Sequence, residues 1–180
     1  MAKSENKFQN YKKKTGILGG TFDPAHKGHL QISKEAKKKF KLNQVIWAIT
    51  KKNPFKRKSY FTLKQRINYS KKITKKHRFI KVKYYEKIIN SNKTLDLINY
   101  LKKKIKQDIY FIMGADNLIN FHKWYKWKLI SQKCNILVFD RQGFKKKSLK
   151  SITFKQLNQN RLEFVKFKKV NISSSQLRKI

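Results

Sequence analysis

Cysteine is nearly missing from this 180-residue chain. The single Cys134 has no partner for an intrachain disulfide, and one Cys with four scattered His leaves no closed zinc site of the usual spacing. Proline (two) and glycine (six) are too few for a Pro- or Gly-rich linker, and there is no internal repeat. One domain over 1–180 is therefore expected, with residues 1–13 as a flexible basic N-terminus. No apolar run approaches the ~18 residues that cross a bilayer. Met1 to Lys14 is polar and basic without an apolar stretch behind it, so the chain reads as carrying neither a secretion signal nor a membrane anchor. A reducing cytoplasm fits all of this.

Acidic residues are the scarcest large class: nine Asp and Glu stand against 47 Lys and Arg, a formal charge of +38. Such a field attracts polyanions, and two readings of it compete. In one the chain binds nucleic acid through salt-dependent phosphate contacts. In the other the lysines are solvated surface residues that also favour phosphate-rich small substrates. The second is preferred, with no specific nucleic acid as partner, because only six of the 47 are Arg, the residue suited to bidentate contacts with bases and phosphates. The clusters Lys12–Lys14, Lys37–Lys39, Lys102–Lys104 and Lys145–Lys147 also fall at the edges of expected elements.

What is present is enough for one core: 39% of the chain is apolar and 13% of it aromatic, and a chain of this length buries about two thirds of its unfolded surface. Thr15–Gly20 reads as a buried strand ending in a glycine turn, His29–Phe40 as a helix and Val45–Ile49 as a strand. A helix around Phe61–Ile73, a strand around Phe79–Val82, a helix around Thr94–Lys103 and a strand over Asp108–Met113 continue the alternation. Short helices after Ala115 and near Tyr125–Ser131 precede strands at Ile136–Phe139 and Leu162–Val165. The pattern predicts an α/β fold, Rossmann-like and doubly wound, with a mainly parallel sheet and helices on both faces. In such sheets ligands sit beyond the carboxyl ends of the strands where the order reverses. Gly19-Gly20 and Met113-Gly114 both lie at such ends.

Three blocks carry the chemistry. The first is Gly19-Gly20-Thr21-Phe22-Asp23-Pro24-Ala25-His26-Lys27-Gly28-His29. It is neither a Gly-x-Gly-x-x-Gly fingerprint nor a P-loop. Glycines let the backbone approach a phosphate, and two His three apart share one face if a helix begins there. The alternative is a cap and a surface residue. The second block, Ile172-Ser173-Ser174-Ser175-Gln176-Leu177-Arg178, puts hydroxyls before a helical turn with an Arg, an arrangement that serves an anion or simply caps a helix. In the third, Met113-Gly114-Ala115-Asp116 leads to Trp124-Tyr125; a carboxylate after such a turn accepts ribose hydroxyls, and the aromatic pair suits either core packing or a ring.

The first block resembles the opening motif of the nicotinate mononucleotide adenylyltransferases, within the His-x-Gly-His nucleotidyltransferase superfamily. The second resembles their Ile-Ser-Ser-Thr-x-x-Arg motif, with Ser175 in place of Thr. The resemblance runs from Gly19 to Arg178. It implies transfer of AMP from ATP to nicotinate mononucleotide, giving deamido-NAD and pyrophosphate, with Mg²⁺ accompanying ATP and no metal held by the protein. By resemblance, His26, His29 and Arg178 act on the triphosphate, and Gly19, Gly20, Thr21, Phe22, Lys56, Ser173, Ser174 and Ser175 line the ATP and phosphate site. Gly114 and Asp116 would face ribose, and Thr94, Trp124 and Tyr125 the nicotinate ring.

Two regions depart from the family pattern. A Pro-x-x-Pro-His-Lys stretch is reduced to Lys52-Asn53-Pro54-Phe55-Lys56, without the His; Lys56 reads equally as a solvated loop residue. A Ser-Tyr-Thr-x-Asp-Thr stretch becomes Asn92-Lys93-Thr94-Leu95-Asp96, where Thr94 reads equally as a helix cap. Preference for the acid over the amide is thus less firmly implied than adenylyl transfer. Rivals are a sister enzyme acting on nicotinamide mononucleotide or pantetheine phosphate, and a basic nucleic-acid-binding protein. A homo-oligomer stays open.

Overall fold

A computed structural model describes residues 12–53, 59–140, 143–157, 159–166 and 174–177. Among the described residues, six strands form one sheet: β1 (Lys14–Gly20), β2 (Gln44–Ile49), β3 (Ile80–Lys83), β4 (Asp108–Gly114), β5 (Asn135–Phe139) and β6 (Leu162–Val165). Their order is β3-β2-β1-β4-β5-β6, and every pairing is parallel. The expected doubly wound sheet is thus found, wholly parallel. Its order reverses between β1 and β4, whose registers run from Lys14 opposite Asp108 to Leu18 opposite Ile112.

The inner strands β2, β4 and β5 read as near-continuous apolar runs because both their faces are covered, whereas the edge strands β3 and β6 expose Lys81, Lys83 and Glu163. Alternation along them divides the core in two. Ile17, Ile46, Ala48, Phe111 and Val138 point to the face covered by α4 (Thr94–Ile105), α5 (Ala115–Ile119) and α6 (Trp127–Lys133). Leu18, Val45, Trp47, Ile49 and Ile112 point to the other, covered by α1 (Lys27–Phe40) and α2 (Leu63–Thr74). Helix α4 shows why this chain makes helices: Leu95, Ile98 and Leu101 recur every three residues and are buried, while Lys102–Lys104 fill the last turn, where cations meet the negative end of the helix dipole. Lys37–Lys39 do the same at the end of α1.

Trp47 is fully buried and its indole nitrogen still finds a partner, donating to Ser33 Oγ at 2.8 Å. Ser33 in turn donates to the His29 carbonyl at 2.8 Å. Ser33 is fully buried on α1, and Ile32 beside it is partly buried against the same core. A short helix α3 (Glu86–Ile89) and two more, α7 (Lys145–Leu149) and α8 (Ile152–Gln156), were not expected from the sequence; a last one, α9 (Ser174–Leu177), begins at the hydroxyl-rich block. Cys134 is buried and burial pushes its thiol up to about 12, so it stays protonated at neutral pH.

Gly16 sits where β1 passes between Leu42, Val45 and Ile112, and a Cβ there would lie 2.9 Å from Leu42 Cδ1 and 3.0 Å from Ile112 Cδ1. Gly16→Ala is expected to lower stability by about 1–3 kcal/mol through overpacking, read as a shift of the urea midpoint at unchanged slope.

Candidate active site at the end of the first strand

The first strand ends at Gly20, and the chain then turns sharply. Gly19 is exposed although its strand neighbours Ile17 and Leu18 are buried, so the backbone there is open to a ligand. Phe22 adopts a left-handed conformation (φ 48°), which costs a non-glycine residue about 1–2 kcal/mol. Packing offsets that strain. Its ring is 2% exposed, stacks on Trp47 at 4.8 Å and 18°, and lies 4.8 Å from the His29 ring. Phe22 thus turns its side chain into the core as a floor for His29, and only its backbone belongs to the open turn. The peptide bond from Asp23 to Pro24 is cis. Asp23 is buried, and its carboxylate accepts from the Tyr60 and Phe61 amides at 2.7 and 2.9 Å, tying the turn to the start of α2.

Helix α1 starts two residues earlier than the apolar periodicity suggests, because imidazoles cap it. His26 is the N-cap residue, and its Nδ1 accepts from the Gly28 amide at 3.1 Å. His29 is the third helical residue, and its Nδ1 accepts from the His26 amide at 3.1 Å. This is a capping box built from two His in place of the usual Ser or Thr with Glu. A ring nitrogen that accepts carries no proton, so in the neutral state both rings hold it on Nε2. The centroids are 3.9 Å apart. Two ring donors therefore sit together at the positive end of a 14-residue helix, a setting that favours an anion.

The chain returns to this turn at its far end. Ser174, the first residue of α9, donates from Oγ to the Pro24 carbonyl at 2.9 Å, two residues before His26. Ser174 of the second block thus meets the turn of the first. Ser173, Arg178 and Lys56, and the side chain of Ser175, lie outside the described residues.

Across the switch point, Gly114 ends β4 and precedes α5 as its N-cap residue. A Cβ at Gly114 would collide with Asp116 Oδ1, so glycine makes room for that carboxylate. The aromatic pair divides. Trp124 is half-buried and packs edge-on against Phe121 and Phe111, with centroids at 5.1 and 6.0 Å, as a core residue does. Tyr125 is 46% exposed, with the Lys93 ammonium 4.2 Å from its ring centroid. Thr94 begins α4 but does not cap it; the N-cap position is Lys93, without a side-chain cap bond. Asp96 instead accepts from Ser91 Oγ at 2.6 Å, and Ser91 Oγ accepts from the Lys93 amide. An open cleft beside this segment is lined by Tyr84, Glu86, Asn90, Ser91 and Lys93.

Sequence reasoning missed Arg66 and Glu86. Arg66, 2% exposed on α2, donates to four backbone carbonyls: Thr21 and Thr50 at 2.6 and 2.9 Å, Lys51 at 2.9 Å and Phe61 at 3.1 Å. Burial lowers its pKa, opposed by Asp23, Glu86 and Tyr84, and the guanidinium stays charged. Glu86 accepts from the Thr50 hydroxyl and, at 3.2 Å, from the Lys51 amide. The one available signal was the choice of Arg at position 66 in a chain that otherwise prefers Lys.

The comparisons with known proteins agree with one another. The cytidylyltransferase-like family model matches residues 17–180. A Pelagibacter ubique (strain HTCC1062) protein named "Probable nicotinate-nucleotide adenylyltransferase" is 68% identical over 180 residues, all of both chains. A Ruegeria sp. (strain TM1040) protein of the same name is 36% identical over 129 residues, 71% of this chain and 68% of its own. In fold, the chain resembles Plasmodium falciparum nicotinic acid mononucleotide adenylyltransferase complexed with NaAD, with a TM-score of 0.72 at 21% identity over 93% of this chain and 83% of that one.

Replacing His26 separates its two tasks. His26→Ala is expected to lose about 1 kcal/mol through the missing cap, and His26→Asn, which keeps an acceptor at the N-cap, only a few tenths. Urea denaturation of the two variants distinguishes them.

Proposed function

This chain belongs to the nicotinate-nucleotide adenylyltransferases, within the cytidylyltransferase-like family, and from that premise we propose how its own residues transfer AMP from ATP to nicotinate mononucleotide. The observation that carries the reading is the Ser174–Pro24 hydrogen bond, which sets the C-terminal block against the turn that leads into His26 and His29.

The nucleophile is an oxygen of the mononucleotide 5′-phosphate. Its second pKa is about 6, so it is already ionised at neutral pH and needs no general base. That oxygen bonds to the α-phosphorus of ATP, the bond from the α-phosphorus to its bridging oxygen breaks, and pyrophosphate leaves with the electron pair. What the protein supplies is position and charge stabilisation for two anions that repel each other. His26 and His29, each with Nδ1 committed to a backbone amide, donate from Nε2 to the phosphates. The backbone of Gly19, Gly20 and Thr21 lies alongside. Ser173, Ser174, Ser175 and Arg178 complete the triphosphate site, with Lys56 as a further cation.

Mg²⁺ arrives with ATP as part of the substrate, held by phosphates and water. The proposed site offers hydrogen-bond donors and positive charge to the phosphates. Gly114 and Asp116 serve the ribose. Thr94, Trp124 and Tyr125 serve the nicotinate end, where the Lys93 ammonium beside Tyr125 supports a ligand bearing a carboxylate. The proposed compartment is the cytoplasm, in keeping with a buried, unpaired Cys134; no described helix is long and apolar enough to cross a membrane.

With ATP and Mg²⁺, pyrophosphate release is expected to be about tenfold or more faster with nicotinate mononucleotide than with the nicotinamide form, a difference of about 1.4 kcal/mol. Equal rates would remove the acid preference, and no release from either would remove the reaction. The double variant His26→Asn/His29→Gln rebuilds a conventional capping box without imidazoles. It is expected to fold normally and lose about 100-fold or more in kcat; near-normal turnover would strip both rings of their assigned role.

A further inference from the structure

We propose that Arg66 is a positioning residue for this reaction, fixing the turn after β1 in the orientation that aims His26 and His29. The proposal rests on the adenylyl-transfer reading for its catalytic consequence, and on geometry alone for the anchoring.

Arg66 is unusual among the charged residues of this chain. It is almost wholly buried, and the partners found for it are main-chain oxygens on three separate segments. Its Nη1 joins the Thr21 carbonyl, in the turn after β1, to the Thr50 carbonyl at the end of β2. Its Nη2 holds the Lys51 carbonyl, and its Nε holds the Phe61 carbonyl just before α2. The segments are stitched from other sides as well. Thr50 donates its amide to the Gly20 carbonyl at 2.9 Å, and Asp23 takes the Tyr60 and Phe61 amides. Glu86 grips residues 50 and 51 by their hydroxyl and amide. Arg66 is thus the hub through which the turn bearing the His motif is registered against its neighbours.

A planar guanidinium is suited to this because its five N–H donors point in fixed, diverging directions. A lysine keeps the charge but donates from one nitrogen, and cannot span the same carbonyls. Removing the hub frees the Thr21 end of the turn, whereas the capping box still holds the two imidazoles on α1. The expected damage is a misaligned site in a folded protein. Misplacement by about 1 Å costs on the order of 100-fold in rate.

The test uses the full chain with Arg66→Lys and Arg66→Ala. Arg66→Lys is expected to fold, to lower kcat about 100-fold, and to change either KM less than about threefold. In Arg66→Ala, added ethylguanidinium is expected to restore part of the rate. Amide exchange by NMR, without substrate, is expected to quicken about tenfold or more at Thr50, Tyr60 and Phe61 in Arg66→Lys. Wild-type kcat per folded molecule in Arg66→Lys would overturn the positioning role, and unchanged exchange at those amides would overturn the anchor. If Arg66→Ala does not fold, Arg66→Lys decides. Failure of the wild type to release pyrophosphate would overturn the reaction and leave the anchor to the exchange data.

Discussion

Each of two imidazoles commits its Nδ1 to a backbone amide of the helix it begins, and that commitment decides what the other nitrogen does. His26 caps α1 by accepting from Gly28, and His29 completes the box by accepting from His26. With Nδ1 accepting, the neutral rings carry their protons on Nε2. One pair of hydrogen bonds serves stability and chemistry together. It satisfies amides that a helix start would leave unpaired, and it prepares two donors beside the positive end of the same helix.

The rest of the molecule holds that pair in place. β1 runs through the middle of a wholly parallel sheet, at the point where strand order reverses, and delivers the turn to the open end. Beneath the turn, Phe22 and Trp47 stack, and His29 rests on them. Beside it, Asp23 and Arg66 fasten it to the start of α2 and the end of β2. Ser174 brings the far end of the chain to Pro24. Few of these contacts are strong alone, since a net hydrogen bond is worth about 1 kcal/mol. They matter because they converge on one segment from several sides.

Much of this was legible in the sequence. The apolar runs of β1, β2, β4 and β5 mark buried parallel strands, and the Gly19-Gly20 and Met113-Gly114 turns fall at the carboxyl ends of β1 and β4, where strand order reverses. The start of α1 was misjudged because His is an uncommon cap and Gly28 interrupts the apolar pattern. Helices α3, α7 and α8 span four or five residues each, too short to show a period. The reading of Thr94 as a cap failed because Lys93 takes that position without using its side chain. Arg66 left no motif because its partners are carbonyls, which every residue owns. Trp124 and Tyr125 are adjacent in sequence, yet one packs inward and the other faces out, a division that only tertiary contacts decide.

The most direct measurement is ¹⁵N NMR of the His26 and His29 side chains at slightly alkaline pH, before and after addition of ATP with Mg²⁺. Both rings should show the proton on Nε2 and Nδ1 as acceptor, and the nucleotide should shift the Nε2 signals while leaving the Nδ1 pattern intact. Protonation at Nδ1 in either ring, or two rings that do not respond to ATP, would contradict the central claim.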